Sequence, residues 1–126
     1  RQTDGRLTEE AIRGRAIFED PDVGCSECHS GTETSDSSWD AEGNPVLHDV
    51  GTISEASGAR LGEELTGLDT PSLRGLHDTA PYLHQGTMID LEELLVDGNP
   101  NNEHGVTSAL TDDEMADLIE YLLSLE

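Results

Sequence analysis

Cys25-Ser26-Glu27-Cys28-His29 is the stretch from which the rest of the chain is read. Two cysteines three positions apart on one helical turn face the same way, so both thiols can reach the two vinyl groups on one edge of a flat macrocycle. A histidine directly after the second cysteine then falls beneath the centre of that macrocycle and offers it an imidazole nitrogen. C-x-x-C-H is the attachment pattern of one covalently bound haem c, with the histidine as an axial ligand to the iron. Other uses of the two thiols fit less well. A disulfide across so short a loop is strained and typical of redox catalysts, a thioredoxin-like motif needs a βαβ frame that this sequence lacks, and a zinc site needs a second ligand pair that never follows.

Composition agrees with a large buried prosthetic group. The chain has 126 residues, the size of one domain spanning 1–126, and only a third of them are apolar. Phe18, Trp39, Tyr82 and Tyr121 are the only aromatics. A core of ordinary packing density needs more apolar volume than this, and a haem would supply it.

Charge restricts the partners. There are 28 acidic residues against six arginines and no lysine, a net charge of −22. Nucleic acid is excluded, since phosphate binding needs a basic stripe, and so is adhesion to an anionic membrane surface. The acids run through every segment, which favours solubility in a salty medium, where screening acts within about 8 Å, over a single acidic docking face for a basic redox partner. No apolar run approaches the ~20 residues of a membrane span, and no signal peptide opens the chain. Arg1-Gln-Thr-Asp reads as a mature or excised terminus, the piece being cut from a longer secreted protein.

Helical signals occupy the two ends. Leu7 to Asp20 is predicted as the first helix, with Thr8 as cap, Glu9 and Glu10 in the first turn and Pro21 beyond its end. Gly14 and Phe18 share one face. Thr111-Asp-Asp-Glu114 is a capping box that opens a last helix over 112–125, with Met115, Leu118, Ile119 and Leu122 on its core face. Gly14 would let Leu118 and Tyr121 approach closely. Asp90 caps a short helix over 91–97. Residues 30–60 read as loop, Arg60–Leu68 as a short helix or turn, and no strand pairing is predicted. The fold class is all-α, with long loops wrapped around the haem.

The order of these signals resembles the cytochrome c fold. The segment Thr70-Pro-Ser-Leu-Arg-Gly-Leu-His-Asp-Thr-Ala-Pro-Tyr-Leu-His-Gln-Gly86, followed by Leu91-Glu-Glu-Leu94, is similar to the C-terminal haem domain of bacterial di-haem cytochrome c peroxidases, as is His48-Asp-Val-Gly51. The resemblance implies an electron-transferring haem and not an enzyme, because the peroxide site of that family belongs to the other haem domain. Haem of this kind is attached outside the cytoplasm, so a periplasmic or secreted location is expected, for a monomer that serves a redox partner protein. A haem peroxidase-like domain is the alternative. It would need an open or displaceable sixth position and a polar group such as His84 or Gln85 beside it.

The second axial ligand is where the chain departs from the family. Members that use methionine place it near the positions of Asp97 and Gly98, and neither residue can serve. Met88 is the expected ligand, 59 residues after His29, with His84 and then His48, His77 and His104 as competitors. Met115 reads as core filler. Arg74 would pair with a haem propionate or, alternatively, with a surface acid. Trp39 and Tyr82 are expected to wall the pocket. Asp97–Glu103 is acidic but lacks EF-hand spacing, so no calcium is predicted.

Overall fold

The computed structural model describes residues 5–126, so Arg1–Asp4, the stretch read as an excised terminus, lies outside the described residues. Helix α1 spans Glu9–Phe18. The Thr8 side chain accepts the Ala11 N–H at 3.1 Å, and Glu9 and Glu10 meet the positive end of the helix dipole. Its inward residues are Ala11, Gly14 and Phe18, spaced to form one stripe. Helix α2 is the single turn Cys25–Cys28. Helix α3 spans Leu91–Val96, capped by Asp90, and helix α4 spans Asp112–Leu123. At α4 the capping box forms in full: Thr111 Oγ1 accepts the Glu114 N–H, and the Glu114 carboxylate accepts the Thr111 N–H at 2.8 Å.

Helices α1 and α4 cross against each other and frame the core. A Cβ placed on Gly14 would stand 1.9 Å from the Asp117 carbonyl oxygen and 2.9 Å from Tyr121 Cβ, so only glycine permits this approach. Phe18 and Tyr121 rings pack 5.3 Å apart and tilted by 59°, a favourable aromatic geometry. At the rim, Arg13 grips Asp117 bidentately, Nε to Oδ2 at 2.6 Å and Nη2 to Oδ1 at 2.8 Å. Leu91, Leu94 and Leu95 of α3, with Tyr82, complete the buried cluster around the fully buried Leu118.

In the middle of the chain the expected absence of strand pairing is corrected, and of the expected short helix or turn over 60–68 the turn is present. Residues 60–68 form no helix; Ala59–Arg60 (β1) and Glu63–Glu64 (β2) pair antiparallel, Ala59 opposite Glu64 and Arg60 opposite Glu63. Leu61 and Gly62 both take positive φ, 52° and 85°, the two-residue turn whose twist suits a hairpin. Isolated bridges join Trp39 to Pro45, His48 to Leu68 and Tyr82 to Met88. The remaining middle segments are loops and two short 3-10 turns, Glu55–Ser57 and Leu76–Asp78. No helix among the described residues is long and apolar enough to cross a membrane.

Two outcomes follow for stability. Gly14→Ala should destabilise the fold by roughly 1–3 kcal/mol or more, the cost of overpacking against backbone, measured by denaturant unfolding. The Arg13 hydrogen bonds hold the Asp117 carboxyl below its ordinary range. Its stabilisation is therefore complete above the unfolded-state value and is lost as pH falls through the lowered one. Acid unfolding of Asp117→Asn should lose that part of its pH dependence, and an unchanged acid profile would remove the pair from the account.

Candidate haem-binding site

The attachment turn is built locally. Gly24, at φ +84°, lets the chain turn into α2, and the His29 N–H closes the turn onto the Cys25 carbonyl at 3.0 Å. Cys25 and Cys28 are both free thiols and half-buried. Burial pushes the Cys25 thiol up to about 11. Cys28 is also raised, by burial first and then by the charges of Asp36 and Glu27. Both thiols are thus protonated at neutral pH, and neither has the electropositive surroundings of a reactive redox cysteine.

His29 is oriented by a carbonyl. Its Nδ1 lies 3.1 Å from the Thr34 carbonyl oxygen. Donation there fixes the tautomer with the proton on Nδ1, which leaves Nε2 unprotonated and chemically able to ligate a metal. Thr34 adopts φ +50° to present that carbonyl, a backbone region that a β-branched residue rarely enters. Its hydroxyl accepts the Leu73 N–H at 2.8 Å, and the neighbouring Ser35 hydroxyl donates to the Thr70 carbonyl at 2.7 Å. The segment from Thr70 is thereby fastened to the loop after the cysteines.

Facing His29 is His104, with ring centroids 6.3 Å apart and ring planes 36° apart. Its Nδ1 is buried without a hydrogen-bond partner. Two imidazoles that share one metal ion at about 2 Å from each nitrogen have ring centres about 6 Å apart, so the separation suits a metal held between them. Burial lowers the proton affinity of both rings, and the charge of His29 lowers that of His104 further. Neutral imidazole is the form that binds a metal. Two thiols on one turn, an oriented imidazole and a second half-buried imidazole opposite fit a covalently attached haem.

The other expected residues are distributed as follows. Met88, expected as the second ligand, is half-buried; its backbone pairs with Tyr82, and its methyl carbon lies 3.2 Å from where a Cβ on Gly98 would stand, at the end of α3. The ring that faces His29 is that of His104. Tyr82 is buried, as expected of a wall residue, and its hydroxyl donates to the Leu76 carbonyl at 2.9 Å. Trp39 is 68% exposed, held out on a loop closed by the Asp40 side chain, which accepts the Glu42 and Asn44 N–H groups; the described ring contacts are Phe18–Tyr121 and His29–His104. Arg74 makes an ion pair with Glu33 at 3.4 Å, a surface acid. His84 and Gln85 both bond the Ser57 hydroxyl on the surface.

A trio of Cys28, Asp36 and His48 has ligand atoms within 4.8 Å of one another, with His48 Nε2 2.7 Å from Asp36 Oδ2. Once Cys28 is tied up as a thioether, this trio loses its strongest ligand. Thr34 escaped the sequence reading, and His104 was named there only among the competing ligands. The run Asn99-Pro-Asn-Asn102 was legible as a loop by composition, but nothing in it says which histidine it presents.

Comparison with known proteins places the chain. The cytochrome c family model matches residues 11–126. Hydrazine synthase subunit gamma of Kuenenia stuttgartiensis is 34% identical over 157 aligned positions, covering 99% of this chain and 43% of that protein. Methylamine utilization protein MauG of Methylophilus methylotrophus is 32% identical over 96 positions, covering 71% of this chain and 26% of that protein. Among solved structures, Kuenenia stuttgartiensis hydrazine synthase superposes with a TM-score of 0.68 at 33% identity, covering 99% of this chain and 49% of that one. A MauG-like protein associated with microbial copper homeostasis gives 0.67 at 25% identity, covering 95% and 44%. The chain spans less than half the length of the curated relatives it matches.

The attachment can be checked directly. Matured protein should keep its colour through denaturation and extraction and show no titratable thiol. Cys25→Ala and Cys28→Ala should each retain one thioether, seen as a red shift of the pyridine haemochrome band. Retention of both free thiols in coloured wild type would contradict the assignment.

Proposed function

The chain belongs to the cytochrome c family, whose domains carry covalently bound haem c and transfer electrons, and from that premise we propose that it is an outer-sphere electron-transfer domain ligated by His29 and His104. The observation that carries the ligand assignment is the facing pair of half-buried, neutral imidazoles at 6.3 Å. When bound, the haem supplies a one-electron ferric/ferrous couple.

The chain's own residues set the conditions for that couple. Cys25 and Cys28 would anchor the group on a rigid turn, and the Thr34 carbonyl would hold the His29 ring in one orientation and raise its basicity. With both axial positions filled by protein, no substrate needs to meet the metal. An imidazole in place of a thioether lowers the potential, and a net charge of −22 acts in the same direction by favouring the more positive oxidation state. A low-potential carrier results. Its partner is a redox protein that meets the haem edge beside the two cysteines. Because haem is attached to such motifs outside the cytoplasm, a periplasmic or secreted location belongs to the same reading.

A second reading is favoured by the names of the relatives, one of which is a subunit of hydrazine synthase. In it the domain serves inside an enzyme, and His104 leaves the metal to admit a small molecule. Reactivity separates the two.

Matured His104→Ala should change from a low-spin to a high-spin spectrum and gain carbon monoxide binding in the ferrous state. Met88→Ala should keep the low-spin spectrum of wild type, and His104→Met should raise the midpoint potential. If Met88→Ala alone loses the low-spin spectrum, the ligand is Met88. If wild type itself binds carbon monoxide readily, the enzyme reading prevails.

A further inference from the structure

The loop that presents His104 is organised around one buried amide. Asn99 is only 4% exposed, a depth at which an amide is costly unless its hydrogen-bonding groups are met. Its Oδ1 accepts the His104 N–H at 2.8 Å. Its Nδ2 donates to the Gly105 carbonyl at 2.7 Å and to Thr107 Oγ1 at 3.0 Å, with a longer contact to the His104 carbonyl at 3.3 Å. Both sides of the His104 backbone are therefore held by one side chain.

The amide is in turn tied to the frame. The Thr107 hydroxyl, 4% exposed as a residue, donates to the Leu95 carbonyl of α3 at 2.7 Å. Val106 N–H donates to the Val23 carbonyl at 2.8 Å. Gly105 lies so close to the attachment turn that a Cβ there would stand 3.3 Å from the Val23 oxygen and 3.5 Å from Cys25 Sγ. The same loop thus connects α3, the cysteine turn and the His104 ring.

We propose that Asn99 is a positioning residue for axial ligation: its amide, locked through Thr107 to α3, holds the His104 backbone so that the imidazole stays opposite His29. The inference rests on the His29/His104 reading. Asn99 itself touches neither the metal nor the haem in this scheme. It acts by keeping the His104 ring from swinging out of a site whose other ligand is fixed.

The test uses matured, haem-loaded protein. Asn99→Ala is expected to retain covalent haem but to show high-spin iron alongside low-spin iron. Carbon monoxide should displace the sixth ligand about 10–100-fold faster than in wild type, a range set by the loss in metal affinity that removing a group behind a ligand typically brings. Added imidazole should restore the low-spin spectrum without restoring the wild-type unfolding midpoint. Asn99→Asp, which keeps the acceptor for the His104 N–H, should fall between. If Asn99→Ala fails to mature, Thr107→Val removes the hydroxyl at equal volume and should shift the ligand kinetics in the same direction by a smaller factor. A lowered unfolding midpoint with wild-type spectrum and displacement rate, in whichever of the two variants matures, would reduce Asn99 to a loop-stabilising residue and overturn the proposal. Failure of the ligand reading looks different: His104→Ala would then leave the wild-type spectrum unchanged.

Discussion

In the proposed ligation two imidazoles must be kept at a fixed separation by a chain with little apolar material to do it, and two hydrogen-bonded anchors meet that requirement. His29 and His104 are 75 residues apart in sequence and face each other at 6.3 Å. Hydrophobic burial is non-directional and cannot set such a distance alone. Direction comes from hydrogen bonds: the Thr34 carbonyl on one ring, the Asn99 amide on the backbone of the other. Each anchor is buried and itself bonded to a further element, through Leu73 on one side and through Thr107 to α3 on the other. Buried polar groups satisfied in this way specify one arrangement and make alternatives expensive.

The helical frame supplies the rigid reference for these anchors. The crossing of α1 and α4 is fixed by Gly14, which admits the Asp117 backbone, and by the Phe18–Tyr121 ring pair. The Gly75 N–H bonds the Leu125 carbonyl at 2.9 Å, which fastens the segment from Thr70 to the end of the chain. The acidic surface adds self-repulsion that screening relieves, so the frame and a bound haem must together outweigh it.

Legibility in the sequence followed the range of the interactions. The caps at Thr8, Asp90 and Thr111 act within one turn and were readable, as was the C-x-x-C-H turn, whose chemistry sits in five consecutive residues. The Gly14 approach was readable because the pairing of two amphipathic helices leaves few solutions. The hairpin at Ala59–Glu64 was missed because four strand residues carry no period, and its signal was the Leu61-Gly62 turn. Met88 stood out from its type and its spacing alone. Which of the four remaining histidines faces His29 depends on tertiary placement, His104 being held by Asn99, and no local pattern encodes it.

X-ray absorption at the iron edge of the matured ferric protein tests the central claim most directly. A first shell made only of nitrogen, four from the porphyrin and two from imidazoles, is the result expected of His29 and His104. A sulfur scatterer in that shell, or a five-coordinate iron, would contradict it.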